Sequence, residues 1–142
     1  MEEKISIPVA YSCSSSGDKE ELISCAKKIK KYGFVQLFAN NKKIAERLLP
    51  AYFNALIRIE DNIMRSSSLA TELLLLVSGQ MNISKAIKEV GIKNNDFILF
   101  ATSEEEAKLF VDCSKSKILK KLNLEFATKE SPNVAVSELL YG

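Results

Sequence analysis

The 142-residue sequence contains no histidine and no tryptophan. Without histidine there can be no Ser-His-Asp or Cys-His nucleophilic site, and no zinc site that needs an imidazole ligand. The three cysteines, Cys13, Cys25 and Cys113, never fall at C-x-x-C spacing, so metal and redox readings gain little support from the sequence. An odd number in a reducing compartment reads as free thiols, mostly buried as small hydrophobes. The five glycines, at positions 17, 33, 79, 91 and 142, never approach G-x-G-x-x-G or Walker spacing, which argues against nucleotide catalysis. The longest apolar runs, such as Leu73 to Val77, are far too short to span a bilayer. The opening Met1-Glu2-Glu3-Lys4 is acidic and lacks an apolar signal core, so no secretion is expected and the expected location is cytoplasmic.

What is present suits an ordinary folded domain. Hydrophobic residues make up 46% and charged residues 27%, and the net charge is +2. The first half, residues 1–71, carries +3 and the second half −1. A strong general nucleic-acid binder would be clearly more basic, although a local phosphate contact is compatible with this balance. The length suits a single domain spanning residues 1–142, around one core.

Hydrophobic periodicity then lays out the elements. Ile5, Ile7 and Val9 alternate with polar residues and Pro8, which predicts an opening strand near a sheet edge, followed by a loop over Ser12–Gly17. Asp18 with Glu21 is a variant of the capping box, and Leu22, Ile23, Ala26 and Ile29 follow at helical spacing up to Gly33, the expected left-handed cap. Phe34–Ala39 reads as a buried strand. Asn40 or Asn41 can cap a helix through Leu49, where Pro50 interrupts it or starts a second one running to about Ile59. Leu69, Leu73, Leu76 and Val77 mark a nearly all-buried helix ending at Gly79, and Asn82 caps another that closes at Gly91. Phe97–Ala101 is a second buried run. Ser103 with Glu106 is a full capping box for a helix to about Asp112. Lys115–Lys121 reads as helical with Ile118, Leu119 and Leu122 inward, and Ser131-Pro132 opens a last helix carrying Val134, Val136, Leu139 and Leu140. The expected class is α/β: a small mixed sheet of three to four strands with six or more helices.

Few of the charged clusters point to chemistry. Glu20-Glu21 and Glu104-Glu105-Glu106 stand at helix starts, where carboxylates complement the helix dipole. Lys27–Lys31, and Lys115, Lys117, Lys120 and Lys121, read as solvated faces or phosphate contacts. Arg58 and Arg65 flank a polar loop with Asn62, Ser66 and Ser67, a group that can grip phosphate or hold the loop. The C-terminal apolar residues suit either a core or a partner surface. The inventory predicts no enzyme, no metal and no cofactor.

The stretch from Ala51 to Phe100 combines an apolar helix, an Asn-Ile-x-Arg-Ser loop, a Leu-rich helix ending in Ser-Gly-Gln, an Ile-x-x-Ala-Ile segment and a Gly-Ile-Lys turn before a strand. This pattern resembles the PRPK-binding protein family, the tRNA-recruiting accessory subunit of the KEOPS complex, over roughly two thirds of the chain. The resemblance implies a non-catalytic adaptor. It would dock on the N-terminal lobe of the kinase-like ATPase subunit, associate indirectly with the threonylcarbamoyl transferase subunit, and help hold the single-stranded CCA end of tRNA. A few cations with stacking suffice for such an end. On this resemblance Asn62, Arg65, Ser66, Lys85 and Lys88 are the expected tRNA contacts, and Val136, Leu139 and Leu140 of the last helix the expected kinase contact. The competing expectations are an α/β small-molecule enzyme or regulator, and a homodimeric scaffold.

Overall fold

The computed structural model describes residues 8–29, 33–60 and 68–124. They form four strands and five helices: β1 (Val9–Ser14), α1 (Lys19–Lys28), β2 (Val35–Ala39), α2 (Lys42–Glu60), α3 (Leu69–Ser78), α4 (Ile83–Val90), β3 (Asp96–Ala101), α5 (Glu104–Ser114) and β4 (Lys117–Leu122). The strands make one sheet in the order β2-β3-β1-β4, with every neighbouring pair antiparallel. The α/β class and the strand number match expectation. The sheet is antiparallel throughout rather than mixed, and the described residues contain five helices rather than six or more. The expected C-terminal helix lies outside the described residues.

The chain divides into two compact units, one holding the sheet with α1 and α5, the other α2, α3 and α4. In the sheet unit, Val9, Tyr11 and Cys13 alternate inward along β1 and join Val35, Leu37, Phe97, Leu99 and Ala101 in one apolar layer. Leu22 and Cys25 of α1 and Ala107 and Phe110 of α5 close over that layer. Phe97 and Phe110 meet edge to face, centroids 6.0 Å apart and rings at 82°, a geometry favoured by the ring quadrupoles. β1 lies between β3 and β4, so the edge position inferred from Pro8 is wrong. Pro8 precedes the first ladder residue, and the missing N–H falls outside the sheet. The predicted Ser12 loop is likewise corrected, because β1 continues to Ser14.

The caps follow the sequence signals. Asp18 Oδ1 accepts from the Glu21 N–H at 2.8 Å and Asn82 Oδ1 from the Lys85 N–H at 3.2 Å. Asn41 Oδ1 accepts from the Lys43 N–H at 2.8 Å, which selects it over Asn40. Gly79 takes the left-handed conformation (φ 71°) and gives its N–H to the Leu75 carbonyl, an orientation that costs a glycine nothing. Gly33 is no such cap: α1 ends at Ile29 in extended conformation. Gly33 matters for closeness, since a Cβ there would stand 1.9 Å from Thr102 Oγ1 and 2.7 Å from Glu106 Oε1.

Two further expectations are overturned. Lys115–Lys121 is not a helix. Lys115 takes a left-handed φ of 57°, which stops α5, and Lys117–Leu122 then pairs with β1. Apolar spacing at 118, 119 and 122 fits a helix turn equally well, and strand pairing decides against it. A register shift at Ser12/Cys13 leaves Leu119 as an extra residue on β4, and with three lysines this bulge blunts the sheet edge against further pairing. Pro50 neither breaks nor starts a helix, and α2 runs through it. Leu48, Ala51, Tyr52 and Ala55 keep one buried face continuous across the proline, so packing outweighs the lost hydrogen bond.

Within the helical unit, Arg47 Nη1 donates to the Val77 carbonyl at 3.3 Å and Arg58 Nη1 to Glu72 Oε1 at 3.2 Å. Residue number rises on α2 as it falls on α3, so the two helices run antiparallel.

Candidate functional site

Lys85 and Lys88 stand on α4, one turn apart, and both are exposed. At 100° per residue they fall on the side of the helix opposite Ala86 and Val90, which are buried. Ile83 and Ile87 flank the buried stripe yet are exposed, as is Met81 just before the helix. The Asn82 cap fixes the first turn, and thereby the direction in which Lys85 leaves the backbone. One short helix thus presents a cationic face and, separately, an apolar flank. The structure brings Lys85 and Lys88 together. The other expected tRNA contacts, Asn62, Arg65 and Ser66, and the expected kinase contacts, Val136, Leu139 and Leu140, lie outside the described residues.

Arg58 is different. The sequence left it open as a phosphate grip, but its guanidinium is engaged by Glu72, a fully buried carboxylate. Its role is structural. A signal was available: Glu72 is the sole charge within the run Ala70–Val77, and a carboxylate in an apolar helix needs a cation.

Sequence reasoning missed a second cluster, in the sheet unit. Glu104, at the start of α5, takes the Tyr11 hydroxyl on Oε2 and the Lys121 ammonium on Oε1, the latter at 2.8 Å. Lys121 Nζ also lies 6.0 Å from the centre of the Tyr11 ring. The hydrogen bonds from Lys121 and Tyr11 pull the Glu104 pKa below the usual carboxylate value. Burial, then the bond to Glu104 and its charge, push the Tyr11 phenol up to about 12. The tyrosine is held neutral and the glutamate ionised, so neither is poised as a nucleophile or a proton shuttle at neutral pH. The cluster borders a groove of about 550 Å³ lined by Tyr11, Ala107, Val111 and Ile118 with Glu105 and Lys108. No sequence signal placed Tyr11 beside Glu104, because their contact depends on the register of β1 against β4 and α5.

Among the described residues, no three His, Cys, Asp or Glu side chains are placed to hold a metal ion. No helix among them is long and apolar enough to cross a membrane. These features define a mixed α/β protein with exposed cationic and apolar surfaces. Its sequence matches the family of the kinase binding protein CGI-121 over residues 18–138. The chain belongs to that family, the PRPK-binding protein family that the Ala51–Phe100 stretch resembles. No curated protein matches it.

Proposed function

We propose that this chain is a non-catalytic adaptor that docks on the kinase-like ATPase subunit of the KEOPS complex and offers it the CCA end of tRNA for threonylcarbamoyladenosine modification. The family match over residues 18–138 carries the reading, since it spans Asn62 to Ser66, α4 and Val136 alike. The two-sided α4 supports it: an adaptor for a protein and a nucleic acid needs an apolar and a cationic surface that do not compete. In this reading Asn62, Arg65, Ser66, Lys85 and Lys88 contact the tRNA end, and Val136, Leu139 and Leu140 contact the kinase-like subunit. Chemistry stays with the partners, and the adaptor, placed in the cytoplasm and as one domain, reaches the transferase only through the ATPase subunit.

The test has two arms. The purified chain is expected to form a stable pair with the kinase-like subunit in low salt, and to crosslink to tRNA ending in CCA far more than to tRNA lacking it. Arg65→Glu should weaken the crosslink while sparing the pair. Absence of the pair, or equal crosslinking of both RNAs, defeats the proposal.

A further inference from the structure

Strand β4 carries Lys117, Lys120 and Lys121 and no acidic residue. Lys121 is engaged by Glu104. Lys117 and Lys120 are exposed, and neither has an ion-pair partner among the described residues. In a regular strand, residues an odd number of places apart point to opposite faces. The register shift at Ser12/Cys13 changes that. Lys117 pairs with Ser14 and Lys120 with Ser12, so the extra residue, Leu119, brings both lysines to one face. That face is opposite the one where Tyr11 and Cys13 join the core under α1 and α5. Ser12 and Ser14 are half-buried, and their hydroxyls have no hydrogen-bond partner among the described residues. The two Lys–Ser pairs stand two residues apart on β1, about 7 Å along the strand. Asp96, which pairs with Ser14 on the side away from β4, is the carboxylate that bounds this row.

From this arrangement we infer that Lys117 and Lys120, with Ser12 and Ser14, form a second RNA surface that grips successive phosphates of the tRNA backbone. The residue types select the ligand. An ammonium and a hydroxyl side by side donate to the oxygens of one phosphodiester, and the second pair takes the next one along the strand. A lone phosphoryl group is better held by donors that converge on one point. An acidic peptide docks through strand pairing or apolar anchors, and these four side chains offer neither. The set includes no aromatic, amide or guanidinium group, so the contact reads no base. It adds affinity and orientation. The bulge that blunts the edge of the sheet thus also aligns its two free cations. Lys85 and Lys88 belong to the helical unit and this surface to the sheet unit. The inference rests on the adaptor reading for the choice of tRNA as the RNA.

The experiment measures the affinity of the full chain for tRNA ending in CCA and for tRNA lacking it, at several salt concentrations. Lys117→Ala with Lys120→Ala should weaken binding of both by about tenfold at low salt and lower the salt slope by about 1.5 to 2, as the loss of two phosphate contacts requires. The preference for the CCA end should remain. Ser12→Ala with Ser14→Ala should weaken both RNAs and leave the slope unchanged. Lys27→Ala with Lys28→Ala, exposed on α1, should leave both nearly unaltered. Polyglutamate should displace the RNA poorly. Wild-type affinity and slope in the β4 variant overturn the inference, and a CCA preference kept by the wild-type chain leaves the adaptor reading standing. Equal weakening by the α1 variant, or displacement by polyglutamate as readily as by RNA of the same charge, also overturns it. A wild-type chain without CCA preference whose β4 variant binds less tightly supports this surface and defeats the adaptor reading alone. A chain that binds neither RNA overturns both. Both lysines are exposed, so their variant should keep the wild-type Tm.

Discussion

Arg58 Nη1 lies 3.2 Å from Glu72 Oε1, tying α2 to α3 by an ion pair whose acidic member is fully buried. Removing one partner leaves a charge in the interior, which costs more than the intact pair contributes. Arg58→Ala should therefore destabilise the protein by about 3–5 kcal/mol. The double change Arg58→Met with Glu72→Leu should recover most of that loss, because it removes the buried charge together with its cation. Urea unfolding midpoints of the two variants check this, and equal destabilisation of both would refute the explanation.

Gly33 is held close to Thr102 and Glu106. Thr102 Oγ1 accepts the Phe34 N–H at 3.0 Å and contacts Glu106 Oε1 at 3.0 Å, so it cannot withdraw without breaking the network that caps α5. A methyl at Gly33 meets that hydroxyl. Gly33→Ala should cost about 1–3 kcal/mol or more. Pairing it with Thr102→Ala, which removes the obstructing hydroxyl, should cost less than the two single changes added together, as thermal unfolding of all three variants would show.

Pro50 sits inside α2, where its ring removes one helical N–H and crowds the preceding turn. Pro50→Ala should stabilise the protein by about 1–3 kcal/mol. No gain in the urea midpoint would mean that the helix has adapted to the proline elsewhere.

Alkaline conditions should weaken the fold. Burial raises the Cys13 thiol from 9.0 to about 12, and Tyr11 rises from 10.0 to about 12. Between those values the unfolded chain releases protons that the folded chain keeps. The stabilisation is thus complete below pH 9 and is lost as the pH climbs towards 12. The slope is about 1.4 kcal/mol per pH unit for each such group. Cys13→Ala should flatten the pH dependence of the urea midpoint above pH 9, even where it lowers stability overall. An unchanged slope would show that the thiol ionises in the folded chain.

Charge reversal on α4 addresses RNA binding. Lys85→Glu with Lys88→Glu should lower affinity for a CCA-ended RNA and reduce the salt slope of binding by about one or two phosphate contacts. Both residues are exposed, so the melting temperature should hold. Unaltered affinity would remove α4 from the RNA surface.

Local signals were legible where one residue type answers one backbone need. Asp18, Asn82, Ser103 and Gly79 stand where the caps formed, and the apolar runs over Phe34–Ala39 and Phe97–Ala101 became β2 (Val35–Ala39) and β3 (Asp96–Ala101). Lys117–Leu122 was not legible, because its apolar spacing satisfies a helix turn and a strand alike. The continuity of α2 through Pro50 also escaped, since the face that overrides the proline exists only once α2 is packed. Of the expected tRNA contacts, Lys85 and Lys88 lie together on α4, as their spacing of three requires of any helix.

The sequence by itself determined most of the caps, the apolar strands β2 and β3, the absence of histidine chemistry and the family, because each is written in neighbouring residues or in a pattern along the chain. Tertiary structure alone decided which distant side chains meet: Arg58 with Glu72, and Tyr11 with Glu104. Such meetings depend on helix pairing and strand register, which arise from the burial of many residues at once, and no single residue encodes them.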